Sequence, residues 1–194
     1  DHYLWFYDQI AARTLPAEVS IKPTQLGLDQ SADACLAHCL ALAEKAAAVG
    51  SVLWLDMEDS AYVDRTLALY ETIKAKFPRT GLALQAYLFR TPKDLERLRS
   101  IDPVIRLVKG AYMEPAHLAF PKKADTDAAY EAIARTMLEM AATGRGRAVF
   151  GTHDMPLVRR IIGHADRLGL AKDRYEIHML YGIRAKEQER LRAE

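Results

Sequence analysis

Six short apolar segments alternate with six longer segments of helical periodicity, and this alternation constrains the fold more than any other feature of the chain. The apolar segments are 19–21 (VSI), 52–57 (VLWLDM), 82–89 (LALQAYLF), 104–112 (VIRLVKGAY), 148–153 (AVFGTH) and 175–181 (YEIHMLY). Runs of this length, rich in branched and aromatic residues, read as strands buried on both faces of a parallel sheet. Between them lie helical stretches. Residues 31–49 begin at Ser31, a good N-cap, and stop at Gly50. Residues 60–77 place Val63, Leu67, Tyr70, Ile73 and Phe77 on one face, and Pro78 ends them. Thr91-Pro92-Lys93-Asp94 reads as a cap residue, a first-turn proline and an acid. Residues 127–143 end at Gly144, 156–168 end at Gly169 with Gly163 weakening the middle, and a charged segment follows from Ile183. Such alternation implies α/β architecture with right-handed crossovers. Its closed form is the (β/α)8 barrel of about 250 residues. A chain of 194 residues supplies about six units, so the expectation is a smaller open sheet or a barrel lacking units.

Composition narrows the function classes. Lys plus Arg number 27 against 26 Asp plus Glu, which gives no bulk attraction to nucleic acid, and the basic residues form no stripe. No apolar run approaches the roughly 18 residues needed to cross a bilayer, and the N-terminus does not read as a signal peptide. The chain begins with Asp1, which suggests a mature product or a portion of a longer protein. Cys35 and Cys39 sit one helical turn apart around His38; they read as small apolar packing groups in a reducing, cytosolic setting, and no residue set has metal-ligand spacing. There is no Rossmann fingerprint and no P-loop. Gly144-Arg145-Gly146-Arg147 reads as a solvated turn, and His2, His117 and His164 as surface residues.

Parallel α/β folds gather chemistry at the C-terminal ends of strands, where the βα loops open. All six apolar segments carry polar groups there. The first runs into Lys22, Thr24 and Gln25; the second ends at Asp56, Met57, Glu58 and Asp59. The third carries Gln85 and Tyr87, and the fourth Arg106, Lys109 and Tyr112. The fifth ends at Thr152, His153 and Asp154, and the sixth holds Glu176, His178 and Tyr181. Charges inside apolar strands cost free energy unless paired or functional. Two-residue periodicity puts Arg106, Val108, Gly110 and Tyr112 on one face and groups Asp56 with Trp54. With Lys22, Asp56, Gln85 and Arg106 all inward, the lumen holds two cations, one anion and an amide. Such a pocket suits a carboxylate, or an aromatic system that gains negative charge. Gly110-Ala111 would let a flat ligand approach the backbone.

The segments Ser20-Ile21-Lys22, Leu55-Asp56-Met57-Glu58, Leu84-Gln85-Ala86-Tyr87, Ile105 to Tyr112 (IRLVKGAY), Gly151-Thr152-His153 and Glu176 to Gly182 (EIHMLYG) resemble, in order, those of the proline dehydrogenase family. The loop Phe120-Pro121-Lys122-Lys123 looks like that of its single-function bacterial members. The resemblance implies a distorted (β/α)8 barrel, FAD as cofactor, and oxidation of L-proline to (S)-1-pyrroline-5-carboxylate by hydride transfer to flavin N5. It implies a quinone as electron acceptor and a cytoplasmic protein in peripheral contact with the inner membrane. On this resemblance Asp56 and Arg106 are the catalytic residues, and Lys22, Tyr112 and Leu180 contact substrate. Met57, Gln85, Arg106, Lys109, Gly110, Ala111, Thr152 and His153 hold the cofactor.

The chain also departs from the family pattern. Met113 stands where many members carry Trp, His178 where many carry Gln, and Asp154 where some carry Asn. The family has a strand before the one ending at Lys22, another after Tyr181, and then a helix with two adjacent arginines. Here Arg190 and Arg192 are not adjacent, so residues 1–194 are expected to form a single domain corresponding to the central portion of the barrel. Two other readings of the residues remain: a Schiff-base lyase or aldolase using Lys22 or Lys109, and a non-catalytic barrel fragment with exposed strand edges.

Overall fold

The computed structural model describes residues 2–193. An opening helix, α1 (His2–Arg13), precedes six strand–helix units: β1 (Val19–Ile21) and α2 (Ala32–Ala48), β2 (Leu53–Leu55) and α3 (Val63–Lys76), β3 (Gly81–Gln85) and α4 (Thr91–Leu98), β4 (Val104–Val108) and α5 (Lys123–Ala142), β5 (Arg147–Gly151) and α6 (Met155–Arg167), β6 (Tyr175–His178) and α7 (Ala185–Ala193). The six strands are parallel and lie in the sheet in sequence order, β1 to β6. A doubly wound sheet reverses its order at a switch point. This one does not, so its crossovers wind one way round, as in a barrel wall.

The sheet curls. Strands lie ~4.8 Å apart, so β1 and β5 would stand ~19 Å apart in a flat sheet. Yet Glu18, the residue before β1, accepts a hydrogen bond from Arg147 of β5 at 2.7 Å, and Ser20 of β1 accepts one from Arg106 of β4 at 2.9 Å. These contacts cross the concave side and show that it is a lumen. Helices cover the convex side, where Leu55, Leu82, Leu107 and Phe150 are wholly or almost wholly buried in one continuous apolar cluster. Each such side chain contributes roughly 1.5–3 kcal/mol. A second cluster of Val52, Trp54, Val104 and Val149 fills the lumen below the charged layer.

Local signals account for most helix ends. The Ser31 hydroxyl accepts from the Ala34 N–H at 3.2 Å, and Asp154 caps α6 by accepting from Leu157 at 3.3 Å. Cys35 and Cys39 are fully buried on α2, as small core residues.

Other expectations need correction. The second to sixth strands end before their apolar runs do, because the chain turns away once Leu55, Gln85, Val108, Gly151 and His178 have made their ladder bonds. Gly110 and Tyr112 thus leave the alternation read from Arg106, and Gly110 adopts φ +121°. Thr91 lies inside its helix; its hydroxyl donates to the Gln85 carbonyl at 2.5 Å. α5 starts at Lys123, one turn before Asp127. α1 was not anticipated. Only Tyr7 and Ile10 are buried along it while Trp5 and Phe6 are exposed, so its apolar residues mark no single face. Gly144-Arg145-Gly146-Arg147 is not a solvated turn throughout, since Arg147 enters the lumen. His164 is not a free surface residue; it bonds Glu131 across the α5–α6 contact at 3.0 Å.

Gly81 opens β3 beside Trp54, its ladder partner. A Cβ there would fall 2.3 Å from the indole Cε3. Gly81→Ala should therefore destabilise the protein by about 1–3 kcal/mol, the usual range for overpacking, read as a lower midpoint in urea.

Candidate active site

The strand ends converge on one cavity of about 1880 Å3 at the C-terminal mouth of the lumen. The twelve residues to which the family resemblance gives roles all line it: Lys22, Asp56, Met57, Gln85, Arg106, Lys109, Gly110, Ala111, Tyr112, Thr152, His153 and Leu180; of the other polar groups marked at the strand ends, Thr24, Gln25, Glu58, Asp59, Tyr87, Glu176 and Tyr181 do not. Register brings the inward residues together. Ala83 pairs with Arg106 and Gln85 with Val108, so Arg106 and Gln85 reach the same space from neighbouring strands.

Asp56 joins two cations. It accepts from Arg106 Nη2 at 2.7 Å and lies 3.4 Å from Lys22 Nζ. Its carboxylate is partly buried, so the attraction acts in a dielectric below that of water. Over the whole cavity eight lysine and arginine side chains stand against three aspartates among the described residues. That excess selects for anionic groups. Arg184 and Arg192 contribute to it from the α7 region. Their spacing does not match the adjacent arginine pair, and only three-dimensional placement brings them to the cavity.

Gln85 is 2 % exposed and donates to the Met57 carbonyl at 3.3 Å. Its Oε1 is buried without a partner. An unpaired buried acceptor costs about 1–3 kcal/mol, which makes it a place for a ligand N–H. Gly110 lines the cavity and also answers a packing need. A Cβ there would lie 2.3 Å from the Tyr87 ring, so the glycine accommodates that ring and the positive φ.

Lys109 sits in a four-charge cluster on the rim. Its Nζ bonds Asp127 and, at 2.8 Å, Asp154; Lys123 bonds the same two carboxylates. The Lys109 and Lys123 donors hold the Asp154 carboxyl far below the usual carboxylate range, against the opposing effect of burial. Asp127 is also lowered; burial raises it, and the two ammonium groups more than offset that.

Hydrogen bonds between loops fix the rim. The Thr24 N–H and hydroxyl donate to Glu58 at 3.0 and 2.6 Å, and the Ser60 N–H and hydroxyl donate to Glu114, both at 2.6 Å. The Leu180 N–H donates to His153 Nε2 at 2.9 Å, which places that ring's proton on Nδ1. Tyr112 and Leu180 are exposed at the mouth. Thr152 accepts from the Asp154 N–H at 3.2 Å and shapes the turn into α6. Sequence reasoning missed Glu114, Ser60 and Asp127, since nothing local marks a loop-to-loop partner.

Below Asp56 lies a second charged layer. Arg147 bonds both oxygens of Glu176, at 2.6 and 2.8 Å, and His178 lies 3.1 Å from Glu176. The His178 and Arg147 bonds pull the Glu176 carboxyl down to about 2 despite burial. A carboxyl depressed in the folded state contributes stability that is complete above its unfolded value of about 4.3 and is lost as pH falls toward 2. Glu176→Gln should flatten the loss of thermal stability across that acid window while lowering the midpoint at neutral pH.

The sequence profile of the family described as "Proline dehydrogenase" matches residues 7–194. Proline dehydrogenase 1 of Bacillus subtilis subsp. natto is 35% identical over 185 residues, covering 95% of this chain and 60% of that protein. Proline dehydrogenase of Deinococcus radiodurans is 37% identical over 185 residues, covering 91% of this chain and 57% of that protein. Among solved structures, proline utilization A of Bdellovibrio bacteriovorus superposes with a TM-score of 0.82 at 22% identity, over 93% of this chain and 23% of that one. A Bradyrhizobium japonicum proline utilization A gives 0.83 at 21% identity, over 98% and 23%. These structural likenesses establish the partial barrel fold. The chain spans about 60% of the length of the curated Bacillus relatives it matches.

Proposed function

Because the chain belongs to the proline dehydrogenase family, we propose that it forms the central part of the barrel of a flavin-dependent enzyme oxidising L-proline to (S)-1-pyrroline-5-carboxylate. The observation that carries this reading is the Lys22–Asp56–Arg106 cluster at the floor of a cationic cavity. The residues fit FAD: Gln85 offers a buried unpaired acceptor, and the cation excess suits a pyrophosphate and a substrate carboxylate. When bound, FAD supplies the acceptor for the hydride and its electron pair.

The chain's own groups bind and orient. Lys22 directs a positive charge to the substrate carboxylate, and Asp56 fixes Lys22 and Arg106 relative to each other. Arg106 presents a fixed charge where negative charge develops on the ring system. Gln85, Met57, Gly110 and Ala111 form the wall against which that ring lies, with Lys109, Thr152 and His153 toward the nucleotide chain. Tyr112 and Leu180 shape the wall on the substrate side. We extend the reading to a quinone as electron acceptor, met by peripheral contact with its membrane; no helix among the described residues is long and apolar enough to cross one. Residues 1–194 act in this reading as one unit.

A Schiff-base lyase is less well supported. Lys109 is an ammonium donor to two carboxylates and Lys22 is paired with Asp56, whereas that chemistry needs a free amine.

The full-length enzyme containing this chain should purify yellow, and L-proline should bleach its flavin absorption; an enzyme that takes up no flavin would overturn the reading. Arg106→Lys should retain flavin and slow its reduction by roughly 100-fold, the loss typical of one electrostatic donor. Lys22→Ala should raise KM for proline more than it lowers kcat, read from steady-state rates with an artificial acceptor.

A further inference from the structure

We infer that Trp54 is a positioning residue for Arg106: its indole face sets the plane of the guanidinium that the proposed reaction uses. The inference rests on the flavoenzyme reading above and adds a residue to it. Trp54 lies two positions before Asp56 and is 1 % exposed, at the bottom of the site. The guanidinium carbon of Arg106 stands 4.7 Å from the indole centroid. Both hydrogen bonds of Arg106, to Ser20 at 2.9 Å and Asp56 at 2.7 Å, leave from the same terminal nitrogen, Nη2. Both bonds hold one end of the planar group, and neither restrains Nε or Nη1 at its other end. The ring face supplies the missing restraint, because a cation over an aromatic face is held by the ring quadrupole most strongly where water is excluded.

The indole is itself held on several sides. Its Nε1–H donates to Glu18 at 2.6 Å, and Glu18 also accepts from Arg147. Arg147 lies 5.6 Å from the indole centroid, and Glu176 accepts from its Nε and Nη2. Gly81 leaves the space that the benzo ring fills, and Val52, Val104 and Val149 pack around it. So large a residue, hydrogen-bonded at its edge, does more than fill the lumen. A branched aliphatic residue would fill it without needing Glu18.

The test uses the flavin-loaded protein in a Trp5→Phe background, since Trp5 is exposed on α1 and Trp54 is the other tryptophan of the chain. Replacing Trp54 with progressively fluorinated tryptophans weakens the ring quadrupole at nearly constant shape. The flavin midpoint potential should fall stepwise along the series as Arg106 loses its fixed tilt. Trp54→Leu should slow flavin reduction by proline roughly 10-fold, while Trp54→Phe, which keeps a ring face and loses the N–H, should stay within about threefold. The Arg106 guanidinium proton resonances should be displaced by the indole ring current and return toward free-arginine values in Trp54→Leu. A flat potential series, a Trp54→Phe as slow as Trp54→Leu, or undisplaced guanidinium resonances would each overturn the inference. The resonance measurement needs no flavin, so a protein that binds none would refute the flavoenzyme reading while this arm still decides the role of Trp54.

Discussion

Everything at the site depends on charges that reach across the lumen. Arg106 and Arg147 rise from adjacent strands and find partners at the far wall, on β1 and just before it. Removing one partner from such a pair would strand a partly desolvated charge, which is costly. The pairs therefore restrict how far the sheet can uncurl, and they lock β1 to the strands three and four places away. The same bonds that define the curvature also place Asp56 between its two cations. Shape and chemistry share one set of contacts.

The lumen is layered. Val52, Trp54, Val104 and Val149 give it an apolar floor, and above them lie Arg106, Asp56 and Gln85. The apolar layer cannot pair with charge except through the indole, whose face accepts a cation and whose edge donates to a carboxylate. Trp54 is the one side chain in that layer able to join the two. Gly81 on the next strand is the consequence: a residue this wide in a barrel wall needs an absent side chain beside it.

Much of this was legible in the sequence. Buried parallel strands announce themselves as apolar runs, and the polar ends of those runs mark the rim because βα loops open there. That logic located Lys22, Asp56, Gln85 and Arg106, which do share one cavity. Strand ends were legible only approximately. An apolar run such as LVKGAY does not reveal that Gly110 turns out of the strand to meet Tyr87. The lower charged layer was harder to read. Glu18 precedes its strand and Arg147 follows a glycine-rich turn, so both look like solvated residues until the sheet curls. Long-range partners such as Ser60 with Glu114 leave no local trace at all.

Loop-to-loop bonds complete the device. Glu58 ties the first loop to the second, Glu114 ties the fourth to the second, the Lys109–Asp154 pair ties the fourth to the fifth, and His153 ties the fifth to the sixth. Loops are ordinarily the mobile part of such folds, since their backbone groups face water. Here five of the six are tied by a side chain to another loop, the third being joined to the fourth through backbone bonds, and several of the side-chain bonds are charge-assisted and so stronger than neutral ones. A cavity that must present fixed charges to a ligand needs such restraint, because a charge free to move reorganises instead of stabilising. The rim carries that restraint in its loop partners, while the floor carries it in an indole.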